Sequence, residues 1–151
     1  MIFTGFSPNT TSQDVKTSLK FLLSPVHWFR WKNGAHTERS REQIMKLFPD
    51  KHVHLLDSGR SAIYMALKSM GVGEGDEVLV QAYTCIVVTN AIKWTGATPV
   101  YVDVDETINM DPLDLCNKIS KKSKIVIIQH TFGIPAKLDE LLAIANEHEL
   151  R

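Results

Sequence analysis

The chain has no charge imbalance, almost no cysteine and no long apolar run, and each absence removes a class of protein. Its 17 lysine and arginine residues balance its 17 aspartate and glutamate residues. With no basic stripe, the electrostatic footprint of a nucleic-acid binder is missing. The two cysteines, Cys85 and Cys116, form no C-x-x-C pair, which argues against a disulfide scaffold and a thiolate zinc site. They read as reduced, buried thiols. No apolar run approaches the roughly 18 to 20 residues that cross a bilayer. Met1 to Thr10 lacks a basic stretch leading into an apolar one, so the chain reads as cytoplasmic, with neither membrane nor nucleic acid as partner. What is present is an ordinary globular composition, 44% hydrophobic and 23% charged over 151 residues, enough for one sizeable core.

Residues 1–50 differ from residues 51–151 and read as an amino-terminal helical segment. Thr11 and Asp14 are spaced as a capping box for a helix over Thr11 to Leu23, with Val15, Leu19, Leu22 and Leu23 on one face and Pro25 as its stop. Trp28, Phe29 and Trp31, interleaved with Arg30 and Lys32, form an aromatic cluster suited to covering a core or a subunit contact, or to touching a membrane interface. A second helix is expected over Glu38 to Phe48, with Ile44, Leu47 and Phe48 inward and Pro49 closing it.

From Val53 the hydrophobic period switches regularly between two and 3.6. Strands are expected at Val53 to Leu56, Val78 to Val80, Pro99 to Val104 and Ile125 to Ile128, the last buried on both faces. Between and after them run helices carrying Ile63, Ala66, Leu67 and Met70; then Val87, Asn90, Ala91 and Trp94; then Leu113, Cys116 and Ile119; then Leu138, Leu141, Leu142 and Ala145. Asp111 and Pro112 supply a cap and a first helical residue. Four strands alternating with four helices predict an α/β fold with a mainly parallel sheet covered on both faces. Ligand sites in such sheets lie at the carboxyl ends of the strands. The last helix leads to Glu149, Leu150 and Arg151 where a further strand is expected, so the sequence reads as cut.

The sharpest local signal is His54-Leu55-Leu56-Asp57-Ser58-Gly59-Arg60-Ser61-Ala62. A helix that opens directly after Ser58-Gly59 gathers free backbone N–H groups, the positive helix end, the Ser61 hydroxyl and Arg60 at one point, which is a phosphate site in physical terms. Gly59 there permits close backbone approach and any positive φ the turn demands. A plain Ser or Asp cap explains the same residues, and no Gly-Lys-Ser/Thr makes the turn a Walker loop. Gly73 to Val80, followed by Tyr83-Thr84-Cys85, reads as a turn, a buried strand and a helix start. Asp103 and Asp105 share a strand face, as metal or acid-base carboxylates or as solvated strand ends; His52 and His54 share another without a third ligand. Gln129-His130-Thr131 ends the most buried strand, where His130 is either a ligand contact or a structural histidine.

The order of these blocks is more specific than any one of them. Ser58-Gly59-Arg60-Ser61-Ala62, Gly75-Asp76-Glu77-Val78, Thr84 with Asn90-Ala91-Ile92, Gly96 to Val104, Asn109-Met110-Asp111 and His130-Thr131-Phe132-Gly133 together resemble the DegT-type (DegT/DnrJ/StrS) sugar aminotransferases, clearly from about Leu55 to Leu150. These are pyridoxal 5'-phosphate enzymes of the aspartate-aminotransferase fold. The resemblance implies that residues 51–151 are the first part of a cofactor-binding large domain. It implies amino transfer to a keto sugar attached to a nucleotide, from a donor such as glutamate, by a cytoplasmic homodimer. It also implies that Gly59, Arg60 and Ser61 form the cofactor-phosphate turn. The Arg60 side chain either contacts the phosphate or points away, since the family often has Thr there. Cys85 falls where the family often stacks an aromatic on the pyridine ring, and His130 falls near the cofactor. The Schiff-base lysine and the carboxylate for the pyridine nitrogen are expected beyond Arg151, which makes the 1–151 chain alone an inactive fragment. The rival readings are a non-catalytic α/β module that binds a phosphorylated ligand at Gly59 to Ser61, and a regulatory family member without the lysine.

Overall fold

A computed structural model describes residues 11–25, 28 and 34–151. They divide into two compact units that part between Leu55 and Leu56. Phe29, Arg30, Trp31 and Lys32 of the expected aromatic cluster lie outside the described residues, and Trp28 is exposed.

In the first unit, α1 spans Ser12–Leu22 and α2 spans Ala35–Leu47. The capping box forms as its spacing predicts: Asp14 N–H donates to Thr11 Oγ1 at 3.3 Å, and the Asp14 carboxylate accepts from the Thr11 N–H at 2.7 Å. Helix α2 begins three residues earlier than expected, with Gly34 as an N-cap that contributes no side chain. Neither helix buries a residue. The faces expected to point inward, Leu19, Leu22 and Leu23 in one and Leu47 and Phe48 near the other, are exposed. Their amphipathic pattern fixes a helix but not a cover.

The second unit is a three-layer α/β structure. Helix α3 (Gly59–Ser69) precedes β1 (Glu77–Gln81), α4 (Ile86–Trp94) leads to β2 (Thr98–Val102), α5 (Pro112–Lys118) leads to β3 (Ser123–Ile127), and a 3-10 turn (Thr131–Gly133) leads to α6 (Leu138–Glu147). The sheet order is β2-β1-β3, and both pairings are parallel. Successive β1 side chains point to opposite faces, so one strand seeds two cores. Val78 and Val80 pack with Leu67, Val72, Val88, Ile92 and Ile125, while Leu79 packs with Val102, Met110, Leu115, Leu141 and Ala145. Helices α3 and α4 thus cover one face and α5 and α6 the other, the arrangement a parallel sheet requires. Arg151 donates its N–H to the Lys124 carbonyl at 3.2 Å and accepts from the Val126 N–H at 3.0 Å, a parallel bridge on the outer edge of β3.

Several sequence expectations are corrected here. Residues 52–56 are not a strand, because the apolar Val53-Leu55-Leu56 run finds no ladder partner among the described residues and Leu55 and Leu56 stay exposed. His52 and His54 are exposed outside any strand. In α4 the buried face is Val88, Thr89, Ala91 and Ile92, and Trp94 is turned out at 56% exposure. In α5 it is Leu115 that is buried, and Leu113 and Cys116 are exposed. Cys85 is exposed too, so neither thiol is a core residue. In β3 only Ile125 is fully buried, and in α6 Leu138 and Leu142 are exposed while Leu141 and Ala145 face the sheet.

Candidate functional site

Two sets of polar residues lie in the loops and helix starts of the second unit. The first is the turn that opens α3. Ser58 is its N-cap: its hydroxyl accepts the Ser61 N–H at 3.2 Å and lies 3.0 Å from the Ser61 hydroxyl. A Ser cap satisfies one of the orphan donors of a helix start. The Gly59 and Arg60 N–H groups have no acceptor among the described residues. The turn demands no positive φ of Gly59, which is not in a left-handed conformation, and a Cβ built on it meets nothing within 4 Å. Its missing side chain therefore answers to no packing demand. It leaves open space over two free amides at the positive end of an 11-residue helix. The Arg60 guanidinium lies over the Trp94 ring, 5.2 Å from its centroid, with Nε buried and unbonded, and Tyr64 packs edge-on against the same indole.

The second set is at the carboxyl ends of the strands. Gln81, the last residue of β1, is fully buried, and its Nε2 donates to the Tyr83 carbonyl at 2.7 Å and to Thr131 Oγ1 at 2.8 Å. Gln81 Oε1 is buried without a partner among the described residues. Thr84 Oγ1 donates to Gln129 Oε1 at 2.6 Å. Asn109, also fully buried, accepts the Thr131 N–H at 2.8 Å and donates to the Ile134 carbonyl at 3.1 Å, joining the loop after β2 to the turn after β3. His130 is exposed at the start of that turn, and its Nδ1 accepts the Ala136 N–H at 3.0 Å. Cys85 is the N-cap of α4 and makes no capping bond with its side chain.

Asp105 does not fit the reading of a solvated strand-end carboxylate. Its side chain is 6% exposed and 3.1 Å from Lys137 Nζ. The Thr107 hydroxyl, then the Thr107 N–H and Lys137, hold its carboxyl down to about 2 against the opposing effect of burial. The pair also raises Lys137 above its ordinary value. Asp103, by contrast, is exposed. Among the described residues no group of three His, Cys, Asp or Glu side chains could hold a metal.

No hydrogen bond, ion pair or ring contact joins the Ser58–Ser61 turn to the His130 cluster among the described residues. Sequence reasoning singled out the turn, Cys85 and His130 but missed Gln81, Asn109 in its bonding role, and the Asp105–Lys137 pair. The available signal was position: a glutamine closing the apolar run Val78-Leu79-Val80 sits where a parallel sheet presents ligands.

The second unit is thus an α/β structure with a parallel sheet covered on both faces, a helix start that leaves two amides unpaired, and a polar cluster at its strand ends. The DegT/DnrJ/EryC1/StrS aminotransferase family model matches residues 19–151. The chain belongs to that family. It is 40% identical over 118 residues to the GDP-perosamine synthase of Escherichia coli O157:H7, covering 78% of this chain and 32% of that protein. It is 35% identical over 118 residues to the pleiotropic regulatory protein of Geobacillus stearothermophilus, covering 78% and 32%. Among solved structures, NtdA from Bacillus subtilis with bound cofactor PMP matches with a TM-score of 0.81 and 25% identity over 93% of this chain and 33% of that one. The chain thus spans about a third of the length of the curated relatives it matches.

Proposed function

We propose that the intact protein is a pyridoxal-phosphate-dependent aminotransferase that moves an amino group from an amino-acid donor, glutamate, to a keto sugar attached to a nucleotide. The observation that carries the reading is the Ser58–Ser61 turn, with two unpaired amides and an uncrowded glycine at a helix start. Those groups fit a phosphate. The family match and the similarity to a GDP-sugar enzyme support the rest.

In this reading Gly59 and Arg60 bind the phosphate through backbone N–H groups, and Ser61 adds its hydroxyl. The Arg60 side chain, held over Trp94, sets the outer wall of the turn instead of supplying the counter-charge. Cys85 packs beside the ring without offering a π-face, and His130 lies at the strand-end side of the site. Bound pyridoxal phosphate supplies an electron sink for reaction at the substrate α-carbon. The lysine for covalent catalysis and the carboxylate for the pyridine nitrogen belong to the part of the protein after Arg151, so residues 1–151 alone do not transaminate. Residues 1–50 are an amino-terminal helical segment, residues 51–151 the first part of the cofactor-binding domain, and the intact protein a cytoplasmic homodimer. No helix among the described residues is long and apolar enough to cross a membrane.

The likeness to a protein named as a regulator favours one second reading, a family member that keeps the fold and lacks the lysine. Sequence beyond Arg151 separates the two. The test of the turn is titration of the intact protein with pyridoxal phosphate at fixed pH and phosphate concentration. A hydrogen bond to a charged partner contributes about 1.5 to 3 kcal/mol, so Ser61→Ala should bind roughly ten- to a hundredfold more weakly. Gly59→Val, which fills the open space, should bind more weakly still. Equal affinity in both variants would make the turn a helix cap and nothing more.

A further inference from the structure

His130 has two ring nitrogens with different surroundings. Nδ1 accepts the Ala136 N–H at 3.0 Å, and Nε2 has no partner among the described residues. An amide N–H can donate only to a nitrogen that carries a lone pair, so a neutral His130 holds its proton on Nε2. The turn that follows His130 is itself tied down at several points. Asn109 bonds the Thr131 N–H and the Ile134 carbonyl from inside, Gln81 bonds the Thr131 hydroxyl, and Gly133 N–H closes back onto the His130 carbonyl at 3.2 Å. The turn is held tightly enough to keep Phe132 at φ +53, a left-handed conformation unfavourable for a side chain of its size.

We propose that His130 is a fixed Nε2–H donor to an oxyanion of the bound ligand, with Ala136 setting its tautomer and Asn109 as the positioning residue of the turn. The proposal rests on the cofactor-site reading above and adds to it the atom, the proton and the ligand chemistry: a phosphate or phenolate oxygen at the carboxyl end of β3. The geometry assigns His130 no proton transfer, only a hydrogen bond whose direction is set before the ligand arrives.

The first test is nitrogen NMR of the histidines in the ligand-free intact protein, with His130→Asn used to assign the signal. A protonated Nε2 and a bare Nδ1 are expected, and the reverse tautomer overturns the proposal whatever binds. Asn109→Ala should turn the single tautomer into a mixture, while an unchanged tautomer would remove Asn109 from its role. The second test is pyridoxal phosphate affinity. The amide oxygen of His130→Asn can still accept the Ala136 N–H, but the outward donor is gone, so binding should weaken roughly ten- to a hundredfold. His130→Gln places an amide N–H near the position of Nε2 and should recover part of that loss. Repeating the titration with pyridoxal locates the oxygen: a loss seen with both ligands points to the phenolate, and a loss seen only with pyridoxal phosphate points to the phosphate. If Gly59→Val weakens binding and His130→Asn does not, the cofactor reading stands and this proposal fails. If wild type does not bind pyridoxal phosphate at all, the cofactor reading fails and takes the donor role of His130 with it.

Discussion

Lys137 Nζ lies 3.1 Å from Asp105 Oδ2 and ties the residue that opens α6 to the loop that leaves β2. The other carboxylate oxygen, Oδ1, accepts both the N–H and the hydroxyl of Thr107, at 2.8 and 2.6 Å. This small network braces the two loops from which Asn109 and the His130 turn project.

It also makes the protein acid-sensitive in a defined window. Asp105 has an ordinary value of 3.8 when unfolded and about 2 when folded. As pH falls through that interval the unfolded chain takes up a proton that the folded protein refuses, so the unfolded state binds more protons and stability declines. The contribution is complete above the unfolded value and gone below the folded one. Urea unfolding of wild type and Asp105→Asn should show a stability difference that narrows as pH is lowered across this window. A difference independent of pH would show that the carboxylate is not held ionised by its neighbours.

The glycines of the two loop systems should separate in a second experiment. Gly96 has φ +93, and a Cβ there would sit 3.2 Å from the Glu74 backbone nitrogen. Gly96→Ala is therefore strained twice over and should cost roughly 1 to 3 kcal/mol. Gly59→Ala meets neither problem and should leave stability unchanged or raise it by about 0.4 to 1 kcal/mol, because it restricts the unfolded chain. Thermal unfolding of the two variants side by side checks this. A Gly59→Ala variant as unstable as Gly96→Ala would mean that Gly59 is a packing residue, contrary to the open space above it.

What could be read from the sequence follows from the range of each interaction. The Thr11–Asp14 box and the Asp111–Pro112 helix start are local, so their residues specify them without help from the rest of the chain. Val78 to Val80 reads as a buried strand because burial on both faces leaves no alternation. Val53 to Leu56 has equally good strand residues, yet a strand exists only with a partner, and partners are distant in sequence. Trp94 shares one helix face with Val87, Asn90 and Ala91 by spacing, whereas its ring is used from outside by Arg60 and Tyr64. Choosing Leu115 over Leu113 and Cys116 requires knowing which side of α5 the sheet lies on. At the site, the Ser58–Ser61 turn was legible because a helix start is local chemistry. Gln81 and Asn109 were not, since a buried amide looks like a surface residue until its partners, Thr131 among them, arrive from other loops.

Gln81 allows the sharpest test of the strand-end cluster. Its Nε2 faces the Tyr83 carbonyl at 2.7 Å and the Ile108 carbonyl at 3.4 Å, both of which can only accept, so the amide cannot be turned over. Gln81→Met keeps the volume and removes both polar ends. It leaves the Tyr83 carbonyl and Thr131 hydroxyl short of a bond, and should cost about 1 to 3 kcal/mol. Gln81→Glu should be worse at neutral pH, because an ionised, fully buried carboxylate would face two carbonyl oxygens and has no cation beside it among the described residues. Lowering the pH should repair it in part, since a protonated carboxyl can donate to Tyr83 in place of the lost amide. The sign is opposite to that of Asp105: a group whose folded value is raised takes up its proton in the folded state first, so the Gln81→Glu protein gains stability relative to wild type as pH falls. Denaturant titrations of wild type and both variants across the acid range measure this directly. Gln81→Glu remaining as stable as wild type at neutral pH would mean that the amide does not hold the Tyr83 and Thr131 loops together.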